Sequence, residues 1–509
     1  MKITHYFTFQ NRKKLKTAAE VIVFLVIILS LFTGTMHLFR TQNHNRDRLK
    51  SIKSEDVDVV YIGGSAAYAY WQPHKAWKDF GFSSYVYGSD TLQAEAIKYY
   101  IKAVQKTQDP VLYIIDARPF QYWEEEASSD SLIGLQYSLD NIRLLDPNRF
   151  ALAYEYWKNH TFSNKGKTPF SLLDITKEHS NTDNLGYEYA WDYAFGKVTS
   201  PLNGHEMIAR SEPFSTPEDF MTEKREDLHP TCQKVLVDLL DWCKEQGHDV
   251  LFVVCPYVIN EEYQEKYNSI SDIISEYGFS FLNANEYYAE MDMDFYSDFY
   301  DANHVNPVGA EKYTAFLANY VWNNYTLPTV TEAVLVEEWA SEYEYYTTRQ
   351  EKAAETVKST TQEAELVKKR CLELQKNQDF TMWSMLAQDD DIVLLTAQSG
   401  TIHMPESSVE SNILQRWGFT DTSSGRIARI VNSESKEKSD MELNGSLDIW
   451  GLTPYSIYAD DKGSVITVGE TEYVLNEAGI HIVAFDNKHR EVVDVIRLQF
   501  VDGCAVFQR

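Results

Sequence analysis

For its size the chain is poor in cysteine and in positive charge. Five cysteines occur in 509 residues, and 47 Lys and Arg stand against 76 Asp and Glu. Cys232, Cys243, Cys255, Cys371 and Cys504 make no CxxC pair and no zinc-type Cys/His spacing, which argues against a disulfide framework and against a metal site. None of them sits in a nucleophile context. The formal charge of −29 argues against broad nucleic-acid binding, because neutralising phosphates requires a basic face. Tandem repeats and low-complexity tracts are lacking as well. What is present, 44% hydrophobic and 14% aromatic residues, is the composition of folded material. A chain of this length exceeds one ordinary core, so two or three domains are expected.

One long apolar run stands out. Residues 17–39 read TAAEVIVFLVIILSLFTGTMHLF, long enough for the ~20 residues of a bilayer span. A basic stretch precedes it, as in a signal peptide, but no A-x-A cleavage site follows, and an uncleaved anchor is the better reading. Arg12, Lys13, Lys14 and Lys16 flank it on one side and Arg40, Arg46, Arg48, Lys50 and Lys53 on the other, so charge alone nearly ties on orientation. Residues 1–16 then read as a short cytoplasmic tail, 17–39 as a transmembrane anchor and 40–56 as a stalk.

Beyond the stalk, β-branched and aromatic runs alternate with helical patterns. VDVVYIGG (57–64), SSYVYG (83–88), PVLYIIDA (110–117), DVLFVVCPY (249–257) and FSFLNA (279–284) read as strands. Helical stretches fall at 91–105, 230–246, 261–277 and 307–324. This alternation predicts an α/β fold with a parallel, doubly wound sheet over 57–328, interrupted by an insertion at 120–228. Residues 329–379 read as a helical linker, with no Gly or Pro between 332 and 378, and 380–509 as a smaller β-rich domain.

The first strand ends in Gly63-Gly64-Ser65, where small residues let the chain turn and leave a hydroxyl exposed beside backbone N–H groups. Nearly 240 residues later, DFYDANHVNPVG places Asp301 and His304 three apart, just before a helix that Pro307 can open. A serine hydroxyl is a weak nucleophile at neutral pH. It needs a histidine to take its proton and a carboxylate to hold the imidazole. Each piece alone has an ordinary structural reading, as a turn or as a helix cap with a surface histidine. His74, His160, His205, His229 and His248 lack partners at useful spacing and read as surface or core residues. Tyr122, Trp123, Tyr189 and Trp191 suit a sugar cleft, although ordinary packing accounts for them.

Taken together, GGSAA after the first strand and DANHVNPVGAEKYT before the last helix resemble the nucleophile and final blocks of the SGNH (GDSL-like) hydrolases. Within that family the chain is similar to the membrane-anchored group that includes the D-alanylation protein of lipoteichoic acid synthesis. The resemblance covers residues 55–325. It implies acyl-ester chemistry with Ser65 as nucleophile, His304 as base and Asp301 orienting His304. No metal or organic cofactor is implied. The family's second block points to Gly88 as an oxyanion N–H donor. Its third block often supplies an Asn, where this chain has DARPF (116–120), so Arg118 is a candidate substitute donor, with a structural ion pair as its alternative reading. Asn303 and Asn306 flank the base as substrate-positioning candidates, with turn stabilisation as their structural reading.

VITVGETEYVLNEAGIHIVAFDNKHREVVDVIRLQF (465–500) resembles part of the interleukin-like EMT inducer domain, a module associated with carbohydrate recognition. DIVLLTAQSG and SNILQRWGF resemble that domain's second half, yet here they precede the GIHIVAFD portion. The two resemblances imply a cell-membrane protein, single-pass with its bulk outside. It would be an esterase or O-acyltransferase on a cell-surface polysaccharide or teichoic acid, working with a membrane-bound O-acyltransferase partner. The competing reading is a catalytically silent carbohydrate-binding or scaffolding component of a polymer synthesis complex.

Overall fold

The computed structural model describes residues 14–31, 48–52, 56–125, 129–143, 146–161, 200–218, 220–388, 391–419, 426–431, 434–440, 442–447, 453–469, 471–487 and 490–509. Two compact units emerge. The first comprises 1–208, 217–293 and 302–353, the second 209–216, 294–301 and 354–509.

Residues 14–31 form a helix whose apolar side chains from Val21 to Leu29 are exposed. Among the described residues, no helix is long and apolar enough to cross a membrane. The described helix carries Lys14, Lys16 and Glu20 near its start, and residues 32–39 of the expected span lie outside the described residues.

The first unit is built on five parallel strands: β1 (Val59–Gly63), β2 (Ser84–Gly88), β3 (Leu112–Asp116), β4 (Val250–Val254) and β5 (Ser280–Asn283). Their order is β2-β1-β3-β4-β5. β1 through β4 are buried along their whole length, which is why they read as continuous apolar runs. Successive side chains face opposite sides of the sheet. Val60, Ile62, Tyr113, Ile115 and Phe252 pack with the helices Ala94–Val104, Pro230–Gln246 and Glu261–Glu276. On the other face the Tyr61 hydroxyl lies 3.2 Å from that of Tyr313, on the helix Pro307–Asn324. The mixed α/β class with a helix-flanked parallel sheet is therefore as expected.

Part of the expected insertion lies outside the described residues, including Tyr189 and Trp191. Its end covers the β2 edge: the Val86 N–H donates to the Asn203 carbonyl at 2.9 Å. Gly204, at φ 86°, closes that contact, since a Cβ there would lie 2.1 Å from the Val86 carbonyl oxygen. An edge strand so covered is no template for pairing with another chain. Downstream, β6 (Phe299–Asp301) and β7 (His304–Val305) are separated by two residues.

The helix Ala333–Lys376 is continuous for 44 residues, and the unit boundary falls within it. In the second unit β8 (Ile392–Ser399), β9 (Ile427–Val431), β10 (Glu434–Ser439), β15 (Gly479–Asp486), β16 (Glu491–Val501) and β17 (Cys504–Gln508) form a six-stranded sheet. A second sheet holds β11 (Glu442–Ser446), β12 (Pro454–Ala459), β13 (Ser464–Val468) and β14 (Thr471–Leu475). Val393, Leu395 and Val483 of the larger sheet share a core with Ile457 and Ile466 of the smaller. The C-terminal region is β-rich, as its composition predicts.

Candidate active site

The turn at the end of β1 depends on small residues. Gly64 is the N-cap of the helix Ser65–Tyr70 and has extended backbone geometry. A Cβ on Gly63 would lie 2.5 Å from the Asp116 Cβ and 2.9 Å from the Ala67 Cβ. Both are first atoms of side chains on fixed backbone and have little freedom to yield. Gly63→Ala should therefore destabilise the fold by about 1–3 kcal/mol through overpacking, read as a lower urea midpoint. An unchanged midpoint would show that the turn relaxes freely.

Ser65, the first residue of that helix, places its Oγ 2.5 Å from His304 Nε2. The first N–H groups of a helix lack intrahelical acceptors, so those of Ser65 and Ala66 stand beside the hydroxyl as free donors. His304 opens β7 and is held by its neighbours. Asn306, fully buried, caps the helix Pro307–Asn324 by accepting from the N–H groups of Val308 at 3.1 Å and Gly309 at 3.3 Å. The Asn303 carbonyl accepts from Arg118 Nη1 and from the Tyr70 hydroxyl, each at 3.0 Å.

Ser65 and His304 line a cavity of about 460 Å³ together with Asp116, Arg118, Tyr257 and Asn303. It lies past the carboxyl ends of β1 and β3. There the strand order reverses, which is where open α/β sheets bind ligands. Arg118 is held in place by its surroundings. Its Nε is 3.6 Å from Asp116 Oδ1, its backbone N–H donates to the same oxygen at 3.0 Å, and its guanidinium lies 5.4 Å from the Tyr257 ring centre. The rim is formed by Thr91, Leu92 and Gln93 on one side and Gln121, Tyr122 and Glu124 on the other. Tyr122 is exposed and donates to Glu124 Oε1 at 2.5 Å.

Five of the residues singled out by sequence, Ser65, Arg118, Tyr122, Asn303 and His304, line this cavity. Asp301 ends β6, three residues before His304. Gly88 is not among the lining residues. It packs against Gly63 and Gly64, and its carbonyl accepts from Asn141 Nδ2 at 2.7 Å. Asn306 is committed to its helix cap. Sequence reasoning did not identify Asp116, Tyr257 or the rim residues 91–93 as part of the site. Asp116 stood in the quoted DARPF block, and its position at a strand end was the available signal.

Two of the remaining histidines are buried against fixed acceptors. His205 is driven down to about 4 by burial, which outweighs its hydrogen bond to the Tyr68 carbonyl, so it is neutral and donates through Nδ1. His160 sits 3.0 Å from Glu95 Oε1, with Nδ1 donating to the Glu124 carbonyl at 2.8 Å and its ring stacked on Trp123. Burial lowers its pKa, but the hydrogen bond and charge of Glu95 outweigh that, and the net shift is upward from 6.5. A raised folded-state pKa contributes stability below the unfolded value that is lost as pH rises through the folded value. The stability difference between wild type and His160→Gln should therefore be largest below pH 6.5 and shrink above it, measured by urea denaturation across pH. A difference that grows with pH would reverse the assignment. Burial pushes the thiols of Cys232, Cys243 and Cys255 up to about 12, so none is a thiolate at neutral pH. Among the described residues, no group of three or more His, Cys, Asp or Glu is placed to hold a metal ion. No model of a known protein family matches this sequence, and no curated protein matches it.

Proposed function

We propose that the chain is a membrane-anchored serine esterase or O-acyltransferase working outside the cytoplasm on a cell-envelope polysaccharide or teichoic acid. The observation that carries this reading is the 2.5 Å approach of Ser65 Oγ to His304 Nε2 in the wall of a cavity at the sheet's switch point. Ser65 Oγ attacks the ester carbonyl while its proton passes to His304 Nε2. Asp301 orients the imidazole and stabilises its charged form. The tetrahedral oxyanion is met by the Ser65 N–H and the Arg118 guanidinium. Collapse breaks the ester C–O bond, and His304 returns the proton to the leaving alcohol. The acyl group on Ser65 then passes to water or to a sugar or polyol hydroxyl deprotonated by His304.

An exposed tyrosine beside Gln93, Gln121 and Glu124 at the rim suits a polyhydroxylated acceptor, which offers faces to stack and hydroxyls to bond. The apolar run at 17–39 supports a bilayer anchor, and a membrane-bound O-acyltransferase is the fitting partner for delivering acyl groups. The test is labelling by a fluorophosphonate, which reacts with an activated serine alone. Phosphonylation mapped to Ser65 is the expected result. No labelling, together with no ester hydrolysis, would make a silent carbohydrate-binding or scaffolding role the better account.

A further inference from the structure

Ser65 and His304 lie 239 positions apart in the chain, so contacts other than connectivity must maintain their 2.5 Å approach. The short segment that carries the serine supplies them, touching the histidine loop at three places. Ser65 Oγ meets His304 Nε2, the Tyr70 hydroxyl donates to the Asn303 carbonyl at 3.0 Å, and Gln72 Nε2 donates to the Pro307 carbonyl at 3.1 Å. The base is thus held on both sides by residues 65–72. Tyr70 is the central contact. It ends the helix Ser65–Tyr70 and is fully buried. Its ring packs edge-on against Tyr313, on the helix that follows His304, with 5.4 Å between ring centres. The hydroxyl is thereby delivered to a point where two loops meet. Its single hydrogen is shared between the Asn303 carbonyl and the Pro256 carbonyl, the latter at 2.5 Å. Pro256 precedes Tyr257, a wall of the cavity, and Arg118 Nη1 donates to the same Asn303 carbonyl at 3.0 Å. One residue earlier, the Ala302 carbonyl accepts from the Val258 N–H at 2.9 Å. Both carbonyls that precede His304 are therefore pinned.

We propose that Tyr70 is a positioning residue for the Ser65–His304 pair, its hydroxyl fixing the peptide group from which His304 projects. This rests on the serine-hydrolase reading above. A carboxylate selects the tautomer of an imidazole, but the distance from the ring to Ser65 Oγ is set by the backbone that carries the ring. Transfer of the Ser65 proton requires that distance to stay within hydrogen-bond reach. A misplacement of about 1 Å costs about 10²-fold in rate. The nucleophile helix therefore does two things at once: its first residue attacks, and its last residue holds the base at the right separation.

The test is Tyr70→Phe in the full-length chain, with an aryl acetate as substrate. The kcat should fall about 10- to 10²-fold, the scale of a small misplacement of a catalytic group. KM should stay nearly constant, since the cavity walls are untouched. Titration with a fluorophosphonate separates positioning from stability. The same fraction of chains as in wild type should label at Ser65, each more slowly, by about the factor lost in kcat. A smaller fraction labelling at the wild-type rate would make Tyr70 a structural residue only and overturn the assignment. If wild type labels at Ser65 and the variant keeps both its kcat and its labelling rate, the Tyr70 assignment falls and the serine reading stands. If wild type neither labels nor turns over, both fall. Where the variant fails to fold, the crystal structure of phosphonylated wild type decides. A Tyr70 hydroxyl about 3 Å from the Asn303 carbonyl supports the assignment, and a broken contact with His304 still in place overturns it.

Discussion

Ser65→Ala should reduce acyl turnover by about 10⁶-fold, the scale seen when the nucleophile of a serine triad is removed. The size follows from what is lost. Without Oγ no covalent intermediate forms, and the proton that His304 Nε2 is placed to receive at 2.5 Å no longer exists. His304→Ala should cost nearly as much, and the double variant little more, because the two side chains act as one unit. Aryl acetate hydrolysis by the full-length chain, followed as kcat and KM, checks this. KM should change little, since the cavity walls contributed by Asp116, Arg118 and Tyr257 are untouched. Ser65 is the first residue of a helix and points into a cavity, so the melting temperature should also be nearly unchanged. Undiminished turnover in a folded Ser65→Ala variant would remove Ser65 from the chemistry. Losses that simply multiplied in the double variant would mean that Ser65 and His304 act in separate steps.

What the sequence made legible follows from how each element meets water. β1, β3 and β4 are buried on both faces, so they are unbroken apolar runs that can be read without knowing their neighbours. Ser65 and His304 were legible for another reason. Each is tied to a local signal, a glycine turn at a strand end and an Asn-Pro helix start, and these place them at the same end of the sheet. The rim residues Thr91, Leu92, Gln93, Gln121 and Glu124 were not legible, because loop positions carry no periodicity and their meaning lies in which loops meet. Gly88 illustrates the limit. Its place in the pattern suggested a donor, yet the parallel register that sets Gly88 against Gly63 pairs it within the sheet, and it is not among the residues lining the cavity. Arg118 was legible as a charge but not as one held by Asp116, Tyr257 and the Asn303 carbonyl.

Asp301→Asn should lower kcat by about 10⁴-fold with little change in KM or fold, as expected when the residue orienting a catalytic imidazole loses its charge. A carboxylate only accepts hydrogen bonds, so it selects the tautomer whose Nδ1 carries the proton and whose Nε2 is free to take one from Ser65. An amide can present its NH₂ instead, which favours the opposite tautomer and leaves Nε2 protonated. The competing carboxylate is Asp116, which lines the cavity itself. Its Oδ1 already accepts from the Arg118 backbone N–H and faces the Arg118 guanidinium, so it is committed to holding a cation in place. Asp116→Asn should therefore act through Arg118, weakening oxyanion stabilisation by the factor of a single donor, about 10²–10³. The ratio of the two losses is the decisive quantity. Asp301→Asn costing more than Asp116→Asn assigns the imidazole to Asp301. The reverse order would make Asp116 the third member of the triad and leave Asp301 as the end of a short strand.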